Sequence, residues 1–227
     1  MRPDGKFFNL ILDLLFPPRC PFCRKLLKSG EDGICRACDA ELPRTEGGGK
    51  QEGRHFSFCA SPLYYEKSVR ESFLRFKFGD LPMYGGFYAK LMAECAAETV
   101  GDGYDLISWA PLSKKRLKTR GYDQAQLLAR DTARLLGKTA TATLRKREDI
   151  PAQSGIGDQE KRRANVSGAY EVIDPALVDG KRVLLVDDII TTGSTLSECA
   201  LVLRGAGAKN VICLTLARTR DPGDLDP

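Results

Sequence analysis

The sequence predicts an α/β protein, a parallel sheet flanked by helices, with a small cysteine-bound module at its N-terminal end. Three observations carry this. Val183 to Val186 is a run of four apolar residues, the pattern of a strand covered on both faces, as in a parallel sheet. From Asp105 onward strand patterns alternate with helical ones, which requires crossover connections. Near the start, Cys20-Pro-Phe-Cys23 and Cys35-Arg-Ala-Cys38 are two CxxC pairs with eleven residues between them.

Each element follows from its local pattern. Residues 7–16 read as a short amphipathic helix, interrupted by Asp13 and stopped by Pro17 and Pro18. That segment is too short to span a bilayer and lacks the uninterrupted apolar core of a signal peptide. No membrane insertion is expected, and the chain is expected to be cytoplasmic with reduced thiols. Residues 45–53, rich in glycine, suit a linker or a loose hairpin tip. Residues 56–65 alternate weakly, as a strand or hairpin would. Val69, Phe73 and Phe76 stand at helical spacing within 67–78, and 85–100 also reads as a helix. A short strand follows at 105–109, an amphipathic helix at 122–136, and a β-branched strand at 139–144. Residues 146–164 are polar and charged, a long loop of the kind that is usually functional or disordered. Strands are expected at 168–173, 182–187 and 211–217, with a helix at 195–204 joining the last two. The expected division is a metal-binding module with its helix over 1–50 and a larger unit over 51–227. Within the latter, 56–100 forms a cap and first helix, and 101–218 the ligand-binding core.

Composition narrows the chemistry. The 227 residues are 42% hydrophobic, enough for a real core, and the net charge of +5 is a mild bias that permits phosphate or nucleic-acid contact without establishing it. His55 is the one histidine, which excludes chemistry built on several. A CxxC turn presents two thiolates on one side of a tight loop, and two such turns complete a tetrahedral Zn²⁺ site from Cys20, Cys23, Cys35 and Cys38. The spacing between them is short for a zinc ribbon, but Gly30 and Gly33 would let the chain reverse. Two disulfides are the alternative, disfavoured in a reducing compartment. Four thiolates leave no open coordination position, so the metal would hold structure. Cys59, Cys95, Cys199 and Cys213 sit in apolar surroundings and read as core thiols.

The strand at Val183 leads into Asp187, Asp188 and then Thr191-Thr-Gly-Ser-Thr195. Carboxylates at the carboxyl end of a parallel strand lie where open α/β sheets place ligands. A hydroxyl- and glycine-rich turn at a helix start is an anion site. Together they suit a ligand that is both sugar and phosphate. The same residues also suit an Asp-rich turn that caps a buried strand and binds nothing.

This stretch resembles, without a gap, the phosphoribosyl-pyrophosphate (PRPP) motif of type I phosphoribosyltransferases. The CxxC pairs, Phe76-Lys-Phe-Gly79, Arg120-Gly-Tyr-Asp-Gln-Ala125 and Arg162-Arg-Ala-Asn165 extend the likeness from about residue 7 to 218, and the whole chain resembles the ComF/ComFC family. The resemblance implies a type I phosphoribosyltransferase fold behind a zinc module. It implies that Asp187 and Asp188 hold the ribose of PRPP, bound with Mg²⁺, and that Thr191, Thr192, Gly193, Ser194 and Thr195 hold its 5'-phosphate. It further implies that Ala110, Pro111, Leu112, Ser113 and Lys114 form a pyrophosphate loop. Lys115, Arg116, Lys118 and Arg120 make that region strongly cationic, though basic residues also suit a merely solvated loop. Gln153, Arg162 and Asn165 would belong to a mobile loop closing over PRPP, and Arg120, Gly121, Tyr122 and Gln124 carry a family motif. Two departures stand out. Asp123 replaces the family's usual asparagine, removing an amide donor and adding a charge. Thr191 stands where purine-salvage enzymes have an aspartate that accepts the base's proton, and threonine cannot do so at neutral pH. The resemblance implies a transferase of unknown acceptor tied to natural transformation. The alternative is a non-catalytic accessory that senses PRPP or handles single-stranded DNA beside a helicase-like DNA-uptake ATPase. Aromatic stacking platforms for DNA are not evident in the sequence.

Overall fold

The computed structural model describes residues 17–78, 82–147 and 168–220. Its centre is β6 (Arg182–Ile190), which pairs in parallel with β3 (Leu106–Trp109) on one side and β7 (Asn210–Arg218) on the other. Two short strands, β1 (Cys59–Ala60) and β2 (Leu63–Tyr64), both pair with the far edge of β7, also in parallel. Residues 56–65 therefore do not form a hairpin; the two pieces extend the sheet edge one after the other. β4 (Leu144–Lys146) and β5 (Tyr170–Val172) form a separate antiparallel pair. The strand expected over 139–144 is displaced: Ala140 makes one parallel bridge to Ile107, and regular pairing begins only at Leu144.

Alternation along β6 builds two cores. Leu184 and Val186 join one cluster with Ile107, Leu214, Phe76 and Tyr88. Val183 and Leu185 join the other with Val211, Leu196, Cys199 and Leu203. The first face is covered by α2 (Lys67–Phe78), α3 (Gly85–Thr99) and α5 (Gln124–Leu135), the second by α6 (Ser194–Gly205). A run apolar at every position thus has a use at every position, as expected of a strand buried on both faces. Cys59, Cys95, Cys199 and Cys213 are buried, as their surroundings predict.

Among the described residues the N-terminal module holds one short α-helix, α1 (Arg36–Ala40), and Cys20, Ile34 and Leu42 share the cluster that contains Phe73 and Tyr88. Phe22 meets Phe87 edge-on at 6.2 Å between centroids. Residues 45–53 are less loose than their composition implies: Ser61 N donates to Gly48 O at 2.8 Å, and Gln51 bridges Cys59. A helix absent from the sequence-based reading, α4 (Lys114–Arg120), follows β3, started by Ser113, whose Oγ accepts the Arg116 amide, and ended by Gly121 in the left-handed region. The 7–16 segment and the loop carrying Gln153, Arg162 and Asn165 lie outside the described residues. Among the described residues no helix is long and apolar enough to cross a membrane.

Candidate ligand site and metal centre

The four cysteine sulfurs of the two knuckles lie within 4.8 Å of one another, with Cys23 and Cys35 Sγ at 3.6 Å. Thiolates about 2.3 Å from a tetrahedral zinc stand about 3.8 Å apart, so the cluster has the right size. Local backbone makes it so. Cys20 N donates to Lys25 O and Arg24 N to Cys20 O, each at 2.9 Å, closing the first knuckle. Gly30 and Gly33 take positive φ of 83° and 75°, and Glu31 accepts the amides of Lys28 and Arg36, so the short loop does reverse. Burial pushes the Cys20 thiol up, but the amides of Cys35, Cys23 and Phe22 outweigh it and hold the group at about 7. Burial and the three neighbouring sulfurs push Cys38 up. Such a cluster ionises fully only around a cation. The residues fit a closed, structural zinc.

The acidic pair sits where the sheet opens. β3 ends at Trp109 opposite Val186, and Ala110 N donates to Val186 O at 2.9 Å as the chain turns away. β6 runs on beside β7 alone, with Asp187 opposite Thr215. Among the described residues one edge of β6 is therefore open from Asp187 onward. Asp188 N donates to Asp187 Oδ1 at 2.8 Å and Ile189 N to Asp188 Oδ1 at 2.7 Å, which orients both carboxylates. Burial and then the charge of Asp188 raise the Asp187 carboxyl well above its ordinary value. Lys77, near the C-terminal end of α2, reaches in: its Nζ lies 2.9 Å from Asp188 Oδ2, with side chains only 22% and 18% exposed. Sequence reasoning missed this contact. Its one signal was Lys77's place inside the Phe76-Lys-Phe-Gly79 motif.

Beyond Ile190 the chain forms the turn that starts α6. Gly193 is left-handed at φ 71°, and a Cβ there would meet Ile190 Cδ1 at 3.5 Å, so conformation rather than space selects glycine. The first turn of α6 has no side-chain cap bond at Gly193, while Thr192 and Ser194 share a hydroxyl bond of 2.8 Å. Thr192 Oγ1 takes the Ser194 amide only at a long 3.4 Å, and a helix start so lined by hydroxyls suits an anion. A cavity of about 520 Å³ adjoins it, walled by Thr192, Gly193 and Ser194 on one side and by Arg54, His55 and Phe56 on the other. His55 holds φ 69°, a costly conformation for a non-glycine residue. Phe56 is buried, its Cζ 3.8 Å from a Cβ placed on Gly193. The sequence-based reading assigned no role to this wall.

The segment after β3 departs from expectation in one respect. The amide of Leu112, within the expected pyrophosphate loop, is held by Asp123 Oδ2 at 2.9 Å, while Asp123 Oδ1 accepts Gln126 N at 3.1 Å and caps α5. Both oxygens of Asp123 accept, which an asparagine cannot match; burial raises this carboxyl against the pull of those amides. The cations gather instead around a cleft of about 560 Å³ formed by Lys77, Phe78, Ser113, Lys115, Arg116, Thr119 and Arg120. Arg120 lies over the Phe78 ring at 5.2 Å, and Phe78 is 63% exposed. Tyr122 OH donates to Phe76 O, and Gln124 Nε2 to Lys77 O at 3.5 Å, so the Arg-Gly-Tyr-Asp-Gln motif grips the end of α2.

Comparison with known proteins bears on both parts. Residues 124–226 match the phosphoribosyl transferase domain family and residues 11–65 the double zinc ribbon domain. Competence protein F of Haemophilus influenzae is 28% identical over 222 residues, 88% of this chain and 96% of that protein. DNA utilization protein YhgH of Escherichia coli (strain K12) is 35% identical over 112 residues, 48% of each chain. Ribose-phosphate pyrophosphokinase of Vibrio parahaemolyticus is 34% identical over 107 residues, 47% of this chain and 32% of that one.

Two outcomes are expected. Protein purified without chelator should carry close to one zinc per chain by elemental analysis, and Cys38→Ser should lower that content; metal-free native protein, or disulfides among these cysteines, would contradict the assignment. Asp187→Asn should raise the thermal midpoint of the ligand-free protein near neutral pH. An aspartate titrates at about 3.9 in the unfolded chain. Below that value Asp187 is protonated in both states; as pH rises, the unfolded chain releases a proton that the folded state retains, and stability falls. The gain should therefore grow from acid pH upward in thermal melts across that range; a variant no more stable than its parent would contradict it.

Proposed function

We propose, for a chain that is ComF-like in both its parts, a phosphoribosyltransferase domain behind an N-terminal double zinc ribbon, that it binds PRPP as a Mg²⁺ complex and transfers its ribosyl group. The observation that supports this most is the order of three sites along one open edge. The start of α6, with the hydroxyls of Thr192 and Ser194, suits a phosphate. Asp187 and Asp188 follow, as acceptors for ribose hydroxyls. The cleft holding Lys77, Lys115, Arg116 and Arg120 comes next, beside Asp188 through Lys77. Phosphate, sugar and diphosphate stand in that order in PRPP.

The roles follow from charge. Thr191 to Thr195 would hold the 5'-phosphate and fix one end of the sugar. Asp187 and Asp188 would bind the ribose hydroxyls by charge-assisted hydrogen bonds, orienting the anomeric carbon. Lysine and arginine side chains of the cleft would stabilise the charge that develops on departing diphosphate. Mg²⁺, bound with the ligand, would neutralise part of that charge and lessen repulsion by the carboxylates. Thr191 offers no proton acceptor, so the acceptor molecule must arrive anionic or need no deprotonation from this loop.

A second reading rests on Phe78. An exposed aromatic ring with a guanidinium over it, among further cations, is the arrangement that stacks unpaired bases. It supports a non-catalytic accessory role on single-stranded DNA in natural transformation, in line with the competence and DNA-utilization names of the relatives. Phe78→Ala tests it: the loss of the ring should weaken single-strand binding, and single-strand binding equal to that of the parent would remove this reading.

Calorimetry should show Mg²⁺-dependent PRPP binding. The double variant Asp187→Asn, Asp188→Asn should lose at least tenfold, because each charge-assisted hydrogen bond contributes about 1.5–3 kcal/mol and tenfold is about 1.4 kcal/mol. Unchanged affinity would mean that the pair is not the ribose clamp. Assays of pyrophosphate release should show no turnover with adenine, guanine or hypoxanthine; robust purine phosphoribosylation would refute the argument from Thr191.

A further inference from the structure

We propose that Arg75 is a positioning residue through which the filled cysteine centre sets the affinity of the Asp187–Asp188 site for its ligand. The proposal rests on the PRPP reading above and adds a regulatory input to the same site.

The contacts run in one line along α2. Arg75 Nη2 donates to Pro21 O and to Phe22 O, each at 2.8 Å. Pro21 and Phe22 are the two residues between Cys20 and Cys23, so both carbonyls belong to the turn that grips the metal. Ser72, one turn earlier on α2, also donates to Pro21 O at 2.7 Å and shares a hydrogen bond with Tyr88 OH. Two residues after Arg75, Lys77 Nζ meets Asp188 Oδ2 at 2.9 Å. One helix therefore holds the metal turn with Arg75 and the ligand site with Lys77.

Arg75 is not placed there for easy packing. Its Nε is buried and finds no acceptor among the described residues, a cost that the two carbonyl bonds must outweigh. Those bonds require that the carbonyls of Pro21 and Phe22 point the same way. A CxxC turn keeps that geometry when both its thiolates grip one ion, because metal binding supplies the free energy that orders so small a module. Without the ion the turn relaxes and Arg75 loses its acceptors; Phe73 and Phe76 still pack α2 on Tyr88, and Tyr122 and Gln124 still hold its last carbonyls, but the polar anchor beside Lys77 on the module side is gone.

The direction of the effect follows. In the ligand-free state Lys77 neutralises Asp188. When ribose hydroxyls take the carboxylate, Lys77 must turn to the diphosphate in the cleft it shares with Lys115 and Arg116. An anchored α2 keeps Lys77 at the boundary of both sites. The zinc-loaded chain should bind PRPP–Mg²⁺ more tightly, and by reciprocity PRPP–Mg²⁺ should tighten zinc binding by the same factor.

The test is a chelator competition on the full-length, zinc-loaded protein, with and without saturating PRPP–Mg²⁺, read as the equilibrium fraction of zinc transferred. PRPP–Mg²⁺ should raise the apparent zinc affinity about tenfold, within the usual range of site–site coupling. Arg75→Met should abolish that increase, and Arg75→Lys, which keeps a donor, should restore part of it. Lys90→Met, which breaks the exposed Lys90–Asp32 contact between α3 and the module, should leave the increase intact. Should Arg75→Met fail to fold, Arg75→Lys decides: coupling weaker than in the unaltered chain supports the assignment to Arg75, and equal coupling refutes it. If calorimetry shows no PRPP binding to the unaltered chain, the functional reading fails and this inference with it. If PRPP binds but zinc affinity does not change, the coupling is refuted while the reading stands. Equal loss of coupling in Arg75→Met and Lys90→Met would also refute it, since that is general loosening of the module.

Discussion

The neutralisation of two carboxylates at the open end of a buried strand governs the rest of this structure. β6 is central and apolar, and it delivers Asp187 and Asp188 to a place that is half-buried. Burial alone drives Asp187 toward its protonated form, and the neighbouring charge adds to this. Lys77 answers that cost from α2, and α2 is fixed by its own contacts: Arg75 on the first cysteine knuckle, Tyr122 and Gln124 on its last carbonyls, and Phe73 and Phe76 against Tyr88. Removing any of these loosens the counter-charge of the acidic pair.

This gives the small N-terminal module a structural purpose beyond folding itself. A segment of a few dozen residues, with one five-residue α-helix among those described, has too little core to be stable unaided. A metal held by the four cysteines would order it, and the module offers α2 the carbonyls of Pro21 and Phe22 while Phe22 packs its ring on Phe87 of α3. The core that includes Cys20 is continuous with the core under the sheet. Zinc ribbon and phosphoribosyltransferase parts are therefore joined by packing as well as by sequence.

The other wall of the site shows the same economy. Phe56, from the segment after the module, seats beside Gly193, and His55 next to it accepts an unfavourable backbone conformation. Strain of this kind persists where surrounding structure holds it, and it collects at ligand sites. Here it stands across a cavity from the hydroxyls of Thr192 and Ser194.

Local patterns in the sequence determined the parts that depend on near neighbours. The doubly buried strand, the helix after the Thr-Gly-Ser turn, the paired CxxC knuckles and the core cysteines are all written in runs of a few residues, because period, turn chemistry and ligand spacing are short-range properties. Tertiary structure alone decided what depends on separation in sequence. Lys77 meets Asp188 across 111 residues, and Arg75 meets Pro21 across 54; no periodicity records either distance. Asp123 reads locally as a lost amide, yet in the fold both its oxygens are occupied by amides, one of them from Leu112. The strand expected at 139–144 shifted because β propensity marks a surface fit to pair, while the partner, β5, decides the register. The sequence thus determined which chemical groups the site contains, and packing decided which of them face one another, since charge pairing acts through space and is blind to order along the chain.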